Sequence, residues 1–164
     1  MTDSRTQNRR LVRETVMQAL YAHEIAKDSP EHVMNTVLQE LKEAGTDYDF
    51  ACSLFLKTVT HQSAVDALIK TRAEHWEFYR IALLDKILLR MAVCELLHFP
   101  DIPPKVSINE AIEIAKDFST DGSSTFINGV LDAILIDLKK NGSLAKSGRG
   151  LVESSKPKPK HAAR

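Results

Sequence analysis

The side chains in this 164-residue chain best suited to chemistry are arginines near its start. Arg9, Arg10 and Arg13 lie in one stretch of helical period, and at 100° per residue Arg10, Glu14 and Tyr21 fall within about 40° of each other, with Arg13 beside them. Cations near a helix start oppose the macrodipole. They therefore call for a counter-charge, and a phosphate backbone is one; a solvated basic face is the plain alternative. Catalytic chemistry is poorly supplied. The six histidines contain no i, i+4 pair, and His23-Glu24 does not extend to H-E-x-x-H. Glu110 and Glu113 have no E-x-x-H partner that would make a carboxylate metal site in a bundle. There is no glycine loop for phosphates and no nucleophile elbow. The expectation is a protein that binds, with no enzyme activity, metal or cofactor.

Composition points the same way. Lysine plus arginine balance aspartate plus glutamate at 22 each, but the balance hides a polarity. Residues 1–14 carry a net +2, residues 15–138 a net −9 and residues 139–164 a net +7. Both ends suit a polyanion and the body suits a basic protein, or the body is simply acidic for solubility. Cys52 and Cys94 fit no metal spacing and read as buried thiols of a reducing compartment. No run of about 18 apolar residues exists to cross a membrane, and the basic start lacks a secretory apolar region. A cytoplasmic protein with no membrane contact is expected.

The elements that must position these residues are helices throughout, about seven of them by hydrophobic period, with no convincing strand and no repeat. Residues 1–6 are expected to be disordered, residues 7–140 to form a single domain, and residues 141–164 to be a disordered basic Lys/Pro tail. The first helix runs over 7–27, with Val12, Val16, Ala19 and Leu20 inward. Ser29-Pro30 starts a second, ending near Gly45. Asp47 is placed to cap a third over 48–72, and Trp76 a short fourth, with a break somewhere in 75–80. Residues 81–99 are apolar on most sides and read as the central helix, where Arg90 is expected to form an internal salt bridge. Ser107 and Glu110 have capping-box spacing after Pro103 and Pro104. Residues 120–124 interrupt, and the helical period resumes through Leu138 to a cap at Asn141-Gly142. Asn128-Gly129 is a hairpin signal, rejected because its flank follows a 3.6 period. Gly129 within a helix costs about 1 kcal/mol against alanine, so it is expected to serve close approach of a backbone or a ligand.

The residues resemble a known family. Arg9-Arg10-x-x-Arg13-Glu14 with Gln18-Ala19-Leu20-Tyr21 is similar to the opening helix of NusB proteins. Ile87-Leu88-Leu89-Arg90-Met91-Ala92 with Glu95-Leu96 resembles their central helix. V-S-I-N-E-A-I-E-I-A-K over 106–116 and F-I-N-G-V-L-D over 126–132 resemble their closing pair. The resemblance implies a NusB-like bundle in two three-helix subdomains. It further implies an adaptor that pairs with the ribosomal protein NusE, binds boxA-type single-stranded RNA and supports antitermination on ribosomal RNA operons, touching RNA polymerase indirectly. Carried onto this sequence, Arg9, Arg10, Arg13 and Lys105 become phosphate contacts. Phe126 becomes a stacking platform for an unpaired base, or else a hydrophobic staple. Tyr21, Asp85 and Glu95 become candidates for the NusE face. Val12, Cys94 and Gly122 depart from the family's usual residues, and the Lys/Pro tail has no counterpart in the family core. NusB-like proteins occur as monomers or homodimers.

Two other readings compete. NusB-like domains also precede RNA cytosine methyltransferase domains, which would require a following nucleotide-binding α/β segment in place of the tail. A helical self-association module without an RNA role requires a large exposed apolar face.

Overall fold

A computed structural model of the chain describes residues 2–73 and 77–152, with side chains from Asn8 onward apart from that of Thr46. The described residues form seven α-helices and three short 3-10 segments, with no strand among them. The helices are α1 (Thr2–Ala26), α2 (Pro30–Thr36), α3 (Thr46–Thr60), α4 (Gln62–Arg72), α5 (Leu83–His98), α6 (Pro104–Phe118) and α7 (Ser123–Lys140). The 3-10 segments are Leu38–Ala44, Phe78–Arg80 and Gly148–Leu151.

The most apolar helix is the axis of the fold. Every residue of α5 from Ile87 to Leu96 is buried. One side of α5 takes α1 and α3, the other takes α6 and α7, and α4 packs between α5 and α7. These two helix groups share one continuous core, so the all-α bundle expected from the period is the observed architecture. The inward stripes also match: Val12, Val16, Ala19 and Leu20 on α1, and Ile127, Val130, Leu131, Ile134, Leu135 and Leu138 on α7, are all buried. On α6 the helical spacing of Ile108, Ala111, Ile112, Ala115 and Phe118 predicts one inward stripe, but Phe118 stands 42% exposed, while Ile114 fills the core beside Ala111 and Ala115. Arg90 makes the internal salt bridge expected of it, its fork spanning both carboxylate oxygens of Asp66 at 2.7 and 3.0 Å.

Several boundaries differ from the sequence reading, each for a local reason. Helix α1 begins at Thr2, because residues 2–6 contain neither glycine nor proline to stop it. The second helix stops at Thr36 and continues as a 3-10 segment to Ala44, where Gly45 turns the chain at φ 61°. Asp47 does not cap α3; it lies within its first turn. The stretch 48–72 is two helices. His61 closes α3 through its amide to Lys57 O at 2.9 Å and opens α4 through its carbonyl to Val65 N at 3.0 Å, which lets α3 face α1 while α4 turns onto α7. The helix expected at Trp76 lies outside the described residues. No capping box forms, because α6 starts earlier, with Pro103 as N-cap and Pro104 at the first helical position, where a missing amide costs nothing. Gly129 is exposed, and a Cβ there would meet nothing within 4 Å, so no backbone approaches it.

The basic tail is ordered in part. Gly142 takes the left-handed conformation at φ 70° and ends α7 as expected. Residues 143–152 then fold back as a strap across the end of α5. Lys146 Nζ donates to Glu95 O at 3.0 Å and Phe99 O at 2.8 Å, closing the last carbonyls of that helix. Ser147 N donates to Pro100 O at 3.0 Å. Gly150 passes so close that a Cβ would lie 1.9 Å from Pro100 O. Residues 153–164, also assigned to the tail, lie outside the described residues.

The hinge at His61 carries a pH dependence. Its ring stacks on His98 with centroids 4.0 Å apart. Burial, the facing His61 ring and the Lys57 ammonium hold His98 below the ordinary imidazole value of 6.5. A base with a depressed folded pKa favours the fold above its unfolded value and loses that contribution as pH falls through the folded one. Urea unfolding midpoints are therefore expected to drop below pH about 6.5 and to drop less in His98→Asn; equal pH curves would contradict this.

Candidate nucleic-acid interface

The three arginines of α1 meet three different fates. Arg13 is 4% exposed. Its fork closes on Glu95 of α5, Nε to Oε2 at 3.0 Å and Nη2 to Oε1 at 2.7 Å, and Ser107 Oγ donates to the same Oε1 at 3.0 Å. Glu95 is 1% exposed. Neither residue has surface to offer, so Arg13 leaves the phosphate contacts and Glu95 leaves the NusE face. Both tie α1 and α6 to the central helix. Arg10 forks onto Glu110 of α6, both bonds 3.0 Å long, yet its side chain remains 32% exposed. The Glu110 hydrogen bonds raise its pKa, against the effect of burial. Arg9 bonds Asp47 at 3.0 Å and lies 4.2 Å over the Phe50 ring. Arg9 and Arg10 thus present cations at the surface, each held by a carboxylate that a phosphate must displace or share.

Asp85 is also structural. It is 7% exposed and accepts from Ser119 Oγ at 2.7 Å and Ser123 Oγ at 2.8 Å. Placed at the start of α5, it anchors both ends of the short α6–α7 connection. It therefore shapes a neighbouring cleft and is corrected from partner contact to anchor. Tyr21, by contrast, is 43% exposed. With Leu11 at 58% and Ile25 at 61%, it makes an apolar outward stripe on α1, joined by half-buried Glu14. Burial and nearby Asp117 raise the Glu14 carboxyl.

Phe126 stands in the first turn of α7, half-buried. It lines an open cleft of about 420 Å³ with Asp85, Gly122 and Ser123 on one side and Arg80 and Ile81 on the other. Arg80 was missed by the sequence reading, which saw only a break in 75–80. The signal was there, as a basic residue closing an aromatic pair before the central helix. Its side chain is exposed, pairs with the outward Glu77 at 3.0 Å and lies 5.8 Å over the Tyr79 ring. Lys105 is exposed in the first turn of α6, and the structure does not bring it to Phe126. Helices α6 and α7 run antiparallel, so the two sit at opposite ends of that pair. Lys105 instead edges a second cleft of about 280 Å³ beside Leu135, Lys139 and the strap. No group of three or more metal-ligating side chains occurs among the described residues.

The class that emerges is an all-α helical bundle with exposed cations on α1 and an aromatic-lined cleft at the start of α7. Its family follows from the match of the NusB family to residues 10–135: the chain belongs to the NusB family, and is a transcription antitermination factor, not an enzyme. It is 48% identical over 146 residues to the transcription antitermination protein NusB of Salinibacter ruber, covering 88% of this chain and 91% of that one. Its fold is similar to that of T. maritima NusB, with TM-score 0.72 and 35% identity over 79% of this chain and 91% of the other. The fold also matches a structure of the antitermination factors NusB and NusE in complex with dsRNA, with TM-score 0.70 and 23% identity over 80% and 98% of the two chains.

Proposed function

We propose that this chain is an RNA-binding adaptor that pairs with NusE and holds boxA-type single-stranded RNA of nascent transcripts, supporting ribosomal RNA synthesis by RNA polymerase in the cytoplasm. The observation that carries the reading is the Phe126 cleft. Half-buried Phe126 lines that open cleft together with the exposed Arg80, the pairing a splayed base and its phosphate require. Arg9 and Arg10 supply further phosphate contacts. The Leu11, Tyr21 and Ile25 stripe supplies the protein face, with Tyr21 its polar-tipped aromatic. That a protein of this fold is found with NusE and dsRNA supports the pairing. The direct test is co-purification of the two proteins at low salt, and failure to associate would refute it.

Arg10→Ala is expected to weaken RNA binding and to flatten the log–log salt dependence by about 0.7, one single-strand phosphate contact. An unchanged slope would mean that the guanidinium stays with Glu110. The same α1 stripe also favours a second reading, in which it pairs two copies of this chain. Sedimentation across concentrations separates the two, since a homodimer would mask the stripe and compete with NusE.

A further inference from the structure

We infer that an RNA strand seated at the Phe126 cleft continues along the outward face of α7 and delivers a second set of phosphates to Lys105 and Lys139 at the strap cleft. The inference rests on the RNA reading of the Phe126 cleft and extends it to a surface about 20 Å away, the rise of the 13 residues from Phe126 to Lys139 at 1.5 Å each.

Four observations carry it. The far cleft is a built feature: Lys146 bonds two carbonyls of the α5 end, and Gly150 lies against Pro100, so the strap forms a fixed wall. Lys105 and Lys139 edge that cleft, are exposed and make no ion pair among the described residues. No acidic residue among the described residues lines the cleft. Between the two clefts the outward stripe of α7 runs through Gly129, Asp132 and Ile136 to Lys139, all exposed, at the three- and four-residue spacing of one helix face. Asp132 is the single acid on it. Gly129 is exposed and a Cβ there would meet nothing within 4 Å, so the helix surface is bare where the strand would cross, which gives this glycine the ligand role its place in a helix called for. Continuity with the Phe126 cleft favours RNA over an acidic peptide as the occupant.

Because Lys146 is spent on the strap, burial holding its ammonium below the usual value, the contacts fall to Lys105 and Lys139. At the stacked-strand spacing of about 3.4 Å per phosphate about six nucleotides bridge the gap, and an extended single strand needs fewer, so an RNA of about three nucleotides reaches one cleft and a much longer one reaches both. The test titrates the full chain with labelled single-stranded RNA of about three and about eighteen nucleotides, over a range of salt. Phe126→Ala is expected to weaken both RNAs. The double variant Lys105→Ala with Lys139→Ala is expected to leave the short RNA unchanged and to flatten the salt slope of the long RNA by about 1.4, two single-strand contacts. Gly150→Ala, which displaces the strap but keeps both lysines, is expected to weaken the long RNA alone. A long-RNA slope untouched by the lysine pair, with Phe126→Ala still effective, would overturn this inference, leave the Phe126 reading intact and turn the cleft over to an acidic peptide. Absence of binding to either RNA would overturn both.

Discussion

Arg13→Ala is expected to cost about 3–5 kcal/mol of unfolding free energy, because it leaves the Glu95 carboxylate buried without its counter-charge. For a chain of this size that lowers the melting temperature by roughly 10 °C. The neighbouring Arg10→Ala breaks a pair of the same geometry whose cation is a third exposed, so that water can reach Glu110 once the cation is gone, and it should cost less than Arg13→Ala. The contrast separates two arginines three residues apart that look alike in sequence. Arg13 also lies 5.3 Å over the Phe50 ring, so part of its loss is packing. Replacing both partners by apolar residues, Arg13→Met with Glu95→Leu, is expected to recover most of the stability, though Ser107 then loses its acceptor. Urea denaturation of the three variants decides the matter. A loss below about 1 kcal/mol in Arg13→Ala would mean that solvent reaches the pair, against its burial here.

Phe126→Ala is expected to weaken RNA binding by about 5- to 150-fold, the equivalent of roughly 1–3 kcal/mol for one stacked base. Phe126 also packs on the core edge, so the truncation alone does not distinguish a platform from a staple. Two further variants do. Phe126→Leu keeps apolar bulk and removes the aromatic face, and should bind RNA nearly as weakly as alanine. Phe126→Tyr keeps the face and should bind nearly as well as the native chain. If leucine binds RNA like phenylalanine, the ring serves packing and the cleft is not a base site.

The helices and the core were legible because period is a property of the chain itself: the buried stripes of α1, α5 and α7 stand in the sequence at their 3.6 spacing. What escaped was set by distance in sequence. Nothing near Arg13 announces that Glu95, 82 residues away, will enclose it, and so the phosphate reading swept up three arginines where the surface presents two. Ser107 and Glu110 show the same failure in local form. Their capping-box spacing is real, but long-range partners took both side chains and Pro104 moved the helix start. Asp85 was read as a surface acid for want of a view of Ser119 and Ser123. The split at His61 had no glycine or proline to mark it, and tertiary packing of α3 and α4 on different neighbours made the break. In the tail, composition argued for disorder through residue 141 onward, yet two carbonyls at the end of α5 and one close-fitting glycine hold residues 143–152 in place.

The central claim is joint recognition, with RNA held by this chain and NusE together. Its most direct test is one titration: boxA-type RNA against the chain alone, NusE alone and the equimolar mixture, at one low salt concentration. The mixture is expected to bind at least about tenfold more tightly than either protein, a coupling of about 1.4 kcal/mol or more. An affinity for the mixture no better than that of the tighter single protein would contradict the claim.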